Sequence, residues 1–321
     1  MDRHPFDNLP IDFSELREVY ERDIQPELEA QEKLRAAAAA KSRQYLIIGI
    51  LAGLLVGGGG FLLFRNPIPI VIALVLAGGC YAFGAMDLNK IRKQAKQMLV
   101  KPVAEAMGLT YDETMGRPTI VHDFRSNRLL PSWDREDYED NLRGVYHGVN
   151  FELFEAHLEQ RRTTTDSKGR TRTSWVTVFR GQCLRFDFHK EFHGETLVLR
   201  DAGMFNSFSG KKGLKRARLE DPVFEKAFEV YTTDQVESRY LLTPDLMQRM
   251  VELEEGLRGK NLKCAFVEGE VLVTVEAGNL FEPGTMFEPI DNPERLHDLL
   301  ADFAVVFNLI DKVTDLPDRP A

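Results

Sequence analysis

Cysteine and positive charge are both scarce in this sequence, and each scarcity excludes a class of protein. Cys80, Cys183 and Cys264 are the three cysteines among 321 residues. An odd, widely spaced set offers neither a disulfide framework nor the paired spacing of a zinc site. Lysine and arginine number 41 against 50 aspartate and glutamate residues, so the formal net charge is −9. That balance argues against nucleic acid as the main partner.

The signatures of common catalytic sites are also missing. The sequence has no G-x-S-x-G nucleophile elbow, no Walker phosphate loop and no dinucleotide-binding glycine fingerprint. We therefore predict no catalytic residues, no cofactor and no metal site, and we do not expect the chain to be an enzyme.

The sequence does contain two long apolar runs, Tyr45–Phe64 and Ile68–Met86, joined by Arg65-Asn66-Pro67. Each run is about 20 residues long without a charged residue, the length that an α-helix needs to cross about 30 Å of hydrocarbon. A three-residue connection is a turn, so residues 44–86 are predicted to form an antiparallel transmembrane helical hairpin. More than 40 acid-rich residues precede the first run, which favours a retained anchor over a cleaved signal peptide. The lack of charge inside either run argues against a transporter.

Small residues recur at four-residue steps in both runs. Gly49, Gly53 and Gly57 lie on one face of the first predicted helix, and Ala73 and Ala77 repeat the spacing in the second. Such faces let helix backbones approach closely. They predict either packing of the two helices of one hairpin or association of copies into a homo-oligomer.

Basic residues flank the hairpin on the side of the two chain ends. Arg65 is the one charge in the turn, whereas the outer flanks carry Lys41, Arg43, Lys90, Arg92, Lys93 and Lys96. Positively charged flanks tend to stay in the cytoplasm. The chain is therefore predicted to be a multi-pass membrane protein with both termini cytoplasmic.

Helical periodicity surrounds the hairpin. Residues 1–43 form a predicted amphipathic arm, with apolar side chains at three- and four-residue steps from Ile11 and an expected kink or restart of the helix at Pro26. This segment serves either to contact a partner or to pack on the protein's own domain. Residues 87–108 continue as a basic juxtamembrane helix, which Pro102 is expected to kink or restart.

Strand and helix patterns follow over residues 109–313, and residues 314–321 are predicted to be a tail. The strand-like stretches are 118–124, 149–158, 175–188, 195–200, 262–266 and 271–276, the last two joined at Glu268-Gly269. Helical stripes begin at Pro244 and Pro293. Because strands follow strands, we predict an α+β fold, in which a cytoplasmic domain of antiparallel sheet packs with helices.

Acidic residues crowd the stretch 129–144, LLPSWDREDYEDNLRG. We interpret it as a polar loop that either binds a cation or a basic partner or covers an edge of the sheet. Its acids lack the D-x-D-x-D-G spacing of a calcium loop.

Two motifs in the domain are distinctive, WVTVFRG at 175–181 and FEVYTTDQVESRYLLTP at 228–244. Together with the order of apolar hairpin, basic helix and strands, they make the chain resemble a family of bacterial two-span membrane proteins known only as a domain of unknown function. The resemblance implies a location in the bacterial inner (cytoplasmic) membrane. It supplies no activity and no catalytic residues.

Basic clusters at 161–172 and 211–218 are the main indication of function. With the basic helix they make up the candidate lipid-facing residues, which are Lys90, Arg92, Lys93, Lys96, Arg161, Arg162, Lys168, Arg170, Arg172, Lys211, Lys212, Lys215, Arg216 and Arg218. A basic residue close to an anionic leaflet is attracted by about 1 kcal/mol. We expect a membrane-anchored cytoplasmic binding or scaffold domain that contacts anionic lipid headgroups or a protein partner. Solvated loops without a partner are the alternative.

A membrane-tethered hydrolase-type enzyme is the alternative function. It would use Asp234 and Glu237 beside a predicted helix start, or His189 and His193, whose four-residue spacing would suit zinc on a helix. The histidines, however, follow a strand and enter a turn, and the two acids suit an ion-pair network at a helix junction. The basic clusters are therefore the preferred hypothesis.

Overall fold

In a computed structural model of the chain, the described residues are 13–165, 167–200, 213–256, 259–282 and 288–314, with Phe6, Leu9, Ile11 and Gly284. They fall into two compact units. The first comprises Met1–Met107 and Phe281–Ala301, and the second comprises Gly108–Leu280 and Asp302–Ala321. The first unit is built of helices, and the second contains the sheet.

The first apolar run lies in a helical path that widens twice into π-helical turns. Its parts are α1 (Ser14–Val19), a π-turn (Tyr20–Ile24), α2 (Gln25–Gly53), a second π-turn (Leu54–Gly59) and α3 (Gly60–Phe64). Pro26 accounts for the first π-turn. It has no N–H, and its ring conflicts with the carbonyl four residues earlier, so the helix widens there instead of breaking.

A tight turn then reverses the chain. Arg65 follows α3 in the left-handed region, at φ 47°. The side-chain oxygen of Asn66 accepts a hydrogen bond of 2.9 Å from the N–H of Ile68. α4 (Ile68–Ala106) then runs back antiparallel to the first path.

α4 continues through Pro102, so the helix does not restart there, a restart being one of the two expected outcomes. Val100, Val103 and Ala104 beside it are almost completely buried. Their packing outweighs the backbone hydrogen bond that proline cannot donate.

By length and composition, one described helix, Leu16–Leu63, is long and apolar enough to cross a membrane. The apolar part of α4, Ile68–Gly84, is shorter. The described helices therefore include one candidate span near the N-terminus.

The two helical paths contact each other through small residues. A Cβ atom added to Gly57 would lie 2.9 Å from the Cβ atom of Ala73, and one added to Gly49 would lie 3.4 Å from the backbone of Ala77. One added to Gly53 would lie 3.8 Å from the Ala73 oxygen and 3.9 Å from the Ala77 Cβ atom. All five residues thus lie in a contact within one chain, and association of copies stays a prediction.

The segment Phe281–Ala301 belongs to the first unit. The domain boundaries predicted from the sequence placed it in the domain of residues 109–313. Ile290 packs with Ala38, Ala39 and Leu88, and its N–H donates a 2.9 Å hydrogen bond to the Glu32 carboxylate. These contacts join positions far apart in sequence, so no local pattern indicates them.

The second unit is organised around one antiparallel sheet, which has nine strands among the described residues. The strands are β1 (Thr110–Thr114), β2 (Arg135–Tyr146), β3 (Val149–Thr165), β4 (Thr171–Asp187), β5 (Thr196–Arg200), β6 (Lys215–Ala217), β7 (Phe228–Thr232), β8 (Lys260–Val267) and β9 (Glu270–Glu276). Their order across the sheet is β1-β2-β3-β4-β9-β8-β5-β7-β6. The prediction of an α+β fold is confirmed, because the structure combines a long apolar helix with a large antiparallel sheet and further helices.

Five helices accompany the sheet. They are α5 (Val121–Ser126), α6 (Pro222–Ala227), α7 (Gln235–Leu241), α8 (Pro244–Gly256) and α9 (Pro293–Thr314), of which α9 belongs to this unit from Asp302 onward. The starts predicted at Pro244 and Pro293 are confirmed.

The two faces of the sheet are covered differently. On one face, Leu184 and Phe186 of β4 are buried as the alternation predicts, and α8 and α9 lie over this side. On the other face, Phe154 packs edge-on against Phe124 of α5, with ring centroids 5.6 Å apart. Phe124 and Phe154 belong to the same cluster of buried hydrophobic residues.

Two predicted segments are wrong in type. The stretch 118–124, predicted as a strand, contains α5 from Val121. The acidic stretch 129–144, predicted as a loop, becomes β2 from Arg135 and pairs with both β1 and β3. Tyr138 and Leu142 turn inward, so long-range pairing outweighs the polar local composition.

We expect the substitution Gly181→Ala to destabilise the second unit. A Cβ atom there would lie against the Val275 carbonyl oxygen and 2.9 Å from the Ala277 nitrogen, both backbone atoms that cannot rotate away. Such overpacking costs about 1–3 kcal/mol. Thermal unfolding of the purified full chain in detergent, followed by circular dichroism, measures the loss.

Gly116→Ala is the control, because an added Cβ atom meets nothing within 4 Å at that position. It should change the free energy of unfolding by less than about 0.5 kcal/mol. Equal melting temperatures for the two variants would contradict the close approach of β4 and β9 at Gly181.

Candidate functional site

The first predicted basic cluster lies on a hairpin arm formed by the outer parts of β3 and β4. β2 pairs with β3 as far as Glu159, and β9 pairs with β4 from Gly181 onward. Among the described strands, residues 160–165 and 171–176 therefore pair only with each other. Residues 161–165 and 167–175 are exposed on both faces.

Five basic residues lie on this arm. They are Arg161, Arg162, Lys168, Arg170 and Arg172, and the same segment contains one acid, Asp166. Five positive charges less one negative charge give the arm a formal charge of +4, in a chain whose net charge is −9. The arm is therefore a local concentration of positive charge in an acidic protein.

A tryptophan lies at the base of the arm. Trp175 is directly opposite Arg161 in the strand register and is 45% exposed. The guanidinium carbon of Arg135 lies 5.9 Å from the centre of its ring. The arm thus presents an aromatic side chain among cations.

The second basic cluster does not join the first. Lys215 lies opposite Thr232 on the edge strand β6, at the end of the sheet where β4 reaches Asp187. The arm extends from the opposite end. Arg216 forms an ion pair of 3.1 Å with the largely buried Glu229, and Arg218 is exposed.

The remaining lipid-facing candidates are distributed unevenly. Lys90 is exposed on α4. Lys96 is 5% exposed and pairs with Glu282 at 3.4 Å, so it does not offer its ammonium group to a headgroup. Lys211, Lys212 and the side chains of Arg92 and Lys93 lie outside the described residues.

The two acids of the enzyme hypothesis bind backbone amides. Asp234 caps α7 by accepting hydrogen bonds from the N–H groups of Glu237 and Val236, and these bonds lower the pKa of its carboxyl. The Glu237 carboxylate accepts bonds of 2.7 Å and 2.6 Å from the N–H groups of His193 and Gly194. Both acids therefore hold the chain at the start of α7.

The histidines of that hypothesis do not converge on a metal-type cluster. The His189 ring lies beside Phe188, with centroids 4.8 Å apart. Within the described part of the chain, the group of three possible ligands that lies close together contains neither His189 nor His193.

That group consists of three carboxylates on the sheet. Oxygen atoms of Glu139, Asp140 and Glu155 lie within 4.8 Å of one another and could hold a cation. Asp140 is completely buried and Glu155 is 4% exposed. The acidic stretch in the sequence indicated the first two residues, whereas Glu155 comes from the neighbouring strand and only the register brings it there.

Hydrogen-bond donors surround these acids. Asp140 accepts a short hydrogen bond from the Tyr111 hydroxyl, and burial followed by the Asp140 charge raises the pKa of that phenol, which stays a donor. Glu155 accepts bonds of 3.1 Å from the Gln182 amide and 2.5 Å from the Leu280 N–H. The cluster is thus connected to the residues that line a pocket next to it.

This pocket lies between the sheet, α8 and α9, and its volume is about 220 Å³. Most of its lining is apolar, and all of it belongs to the second unit. The lining residues are Leu153, Gln182, Leu184, Glu252, Leu253, Gly259, Val273, Val275, Ala277, Leu280, Asp302, Val305, Val306, Asn308, Leu309 and Lys312. The strands and helices that line the pocket were predictable by their own patterns, but the space between them was not, because it depends on how the layers pack.

The chain contains a domain of unknown function: residues 177–314 match the family described as "Protein of unknown function (DUF3137)". The match begins in β4 and ends with α9, and it includes the motif at 228–244. This confirms the predicted resemblance to a domain of unknown function. No curated protein matches the sequence. The crystal structure of the mycobacterial trehalose monomycolate transport factor A, TtfA, is similar over 71% of this chain and 97% of that chain, with 9% identity and a TM-score of 0.33.

We expect Tyr111→Phe to destabilise the protein by about 1–3 kcal/mol, because it removes a hydroxyl donor from the buried carboxylate of Asp140. Tyr138→Phe is the matched control. Its hydroxyl donates a hydrogen bond of 3.0 Å to Glu136, which is only partly buried. We therefore expect the free energy of unfolding to fall by about 0.5–1.5 kcal/mol. Denaturant unfolding of both variants measures the difference. An equal loss of unfolding free energy in the two would contradict the prediction that the buried carboxylate of Asp140 depends more strongly on its hydroxyl donor.

Proposed function

We propose that this chain is a membrane-anchored binding protein of the bacterial inner membrane. Its two apolar helices form a two-span anchor with both termini in the cytoplasm. Its α+β domain binds anionic lipid headgroups through the basic arm at 161–175.

The anchor is supported by the apolar side chains that the helices expose. Leu55 and Leu63 on the first path are 77% and 80% exposed, and Leu74 and Val75 on α4 are 69% and 70% exposed. Apolar surface of this extent is unfavourable in water and suits a lipid environment. Ile68–Gly84 covers 17 residues (84 − 68 + 1), at the lower end of the roughly 17–25 residues that span a bilayer.

The single observation that carries the binding proposal is the charge of the arm, +4 in a chain of −9. The arm is a two-stranded ribbon, which contributes little to a hydrophobic core and is marginally stable alone. We therefore infer that the arm has a function other than stabilising the fold. Each basic residue close to an anionic leaflet contributes about 1 kcal/mol. Tryptophan is favoured at the membrane interface, which is where Trp175 would lie.

The proposed topology predicts which side of the membrane the turn faces. Asn66→Cys, in a Cys80→Ser background, should react with a membrane-impermeant maleimide added to intact spheroplasts, because the turn between two spans would face outward. Lys168→Cys in the same background should react only after lysis, because the arm would be cytoplasmic. Labelling of position 168 in intact spheroplasts would refute the proposed orientation.

The arm predicts contact between Trp175 and anionic headgroups. The chain has two tryptophans, so Trp133→Phe leaves Trp175 as the sole tryptophan, whose fluorescence can be excited apart from that of the tyrosines. In nanodiscs with phosphatidylglycerol and a headgroup-nitroxide lipid, its fluorescence should be quenched at low salt. It should recover at about 0.5 M salt, where exposed charges are screened.

Three controls make this measurement specific. Trp175→Phe leaves Trp133 and should show little quenching. Replacing Arg161, Arg162, Lys168, Arg170 and Arg172 by Gln should abolish quenching of Trp175, whereas Gln at Lys215 and Arg218 should not. Equal quenching in zwitterionic nanodiscs would refute headgroup binding, and no quenching in anionic ones would leave an acidic protein surface as the partner.

A further inference from the structure

We infer that the pocket between the sheet, α8 and α9 is a binding site for a small amphiphilic molecule. The ligand has an apolar group of about nine carbon atoms and a hydrogen-bond donor, either a hydroxyl or an amide N–H. This inference stands apart from headgroup binding by the arm, because no described residue of the arm lines the pocket.

The floor of the pocket is a row of apolar side chains on adjacent strands. Leu153, Leu184 and Val273 lie directly opposite one another in the register of β3, β4 and β9. Leu253 of α8 and Val306 of α9 are buried on the helical side. An apolar group placed between these side chains exchanges water for hydrocarbon contacts.

Gln182 is the polar group in this floor, and it is 7% exposed. Its amide nitrogen donates a hydrogen bond of 3.1 Å to the Glu155 carboxylate and one of 2.8 Å to the Gly278 carbonyl oxygen. Both partners can only accept while Glu155 is ionised, so the nitrogen must face them and the amide cannot be flipped.

The amide oxygen of Gln182 is therefore left to the pocket. In the described part of the chain, no donor is bonded to it. The oxygen reaches solvent in the pocket. A ligand that displaces this solvent must bring a donor of its own, because an acceptor left buried without a partner is costly. When Glu155 is ionised, its charge behind the amide polarises it and strengthens the oxygen as an acceptor.

The same arrangement disfavours a carboxylate ligand. The oxygens of a carboxylate ligand would face the Gln182 oxygen, and both groups are acceptors that cannot bond to each other. The Glu155 carboxylate lies behind the Gln182 amide. The cation among the lining residues, Lys312, already pairs with Glu252 at 3.5 Å, and both side chains are partly exposed. The pocket thus selects an alcohol or amide over the corresponding acid.

The volume sets the size of the ligand. An engineered apolar cavity of about 150 Å³ accommodates benzene, with six carbon atoms. In proportion, the 220 Å³ of this pocket accommodates about nine carbon atoms. Val305 at the opening is 37% exposed, so the site is open to solution on the α9 side.

The test uses the full chain in nanodiscs and a nine-carbon primary alcohol that carries a photoreactive diazirine. Mass spectrometry of the irradiated protein should find saturable labelling of pocket residues, removed by excess 1-nonanol and not by nonanoic acid. The methyl ether of the same probe, which lacks the donor, should label about ten-fold less. Non-saturable labelling, or equal labelling by alcohol and ether, would overturn the inference.

Two variants separate the pocket from the lipid phase. Val305→Trp fills the opening from a partly exposed position and should abolish labelling. Val236→Trp places the same side chain at a site that is 79% exposed and outside the pocket, and should leave labelling unchanged. Equal labelling of the two would refute the site.

Gln182→Leu tests the polar contact. It should keep labelling by the ether and lose the preference for the alcohol. A preference that survives in a folded Gln182→Leu protein would refute the role of the amide oxygen. If this variant does not fold, the comparison of Val305→Trp with Val236→Trp still decides whether the pocket binds.

Discussion

The antiparallel pairing of β3 with β4 is the constraint on which the second unit depends. It extends from Phe151 opposite Phe186 to Thr165 opposite Thr171, with one bulge at Leu158 and Glu159. In the inner half, the pair has neighbouring strands on both sides and its faces are covered. In the outer half it has none, and its side chains are exposed. One pair of strands therefore supplies the centre of the sheet, part of the floor of the pocket and the basic arm.

Buried charge on the same strands shapes the pocket. Glu155 faces the helix-covered side of the sheet, and a buried carboxylate must be surrounded by donors. The Gln182 amide and the Leu280 N–H supply them. Since the nitrogen of Gln182 is engaged in this way, its oxygen is turned to the pocket. The polarity of the pocket thus follows from the acid behind it.

The helical unit separates small from large side chains. Gly49, Gly57 and Ala73 occupy the contact between the two paths, so large residues such as Leu55 and Leu74 are left facing outward. Such a surface is matched by hydrocarbon rather than by water. In the proposed function, the anchor sets where the protein resides, while the arm and the pocket provide two separate contacts, one with charge and one with an apolar group.

The sequence by itself determined the elements whose signals are local. Apolar runs predicted the helices, Pro244 and Pro293 predicted helix starts, and alternation in β4 predicted its buried face. Periodicity and capping act within a few residues, so they can be read without the fold. Tertiary structure alone decided that the acidic stretch from Arg135 is a strand, because pairing with β1 and β3 outweighs its polarity. It also decided the meeting of Glu155 with Asp140 and the space beside Gln182, which arise from register and layer packing between distant segments.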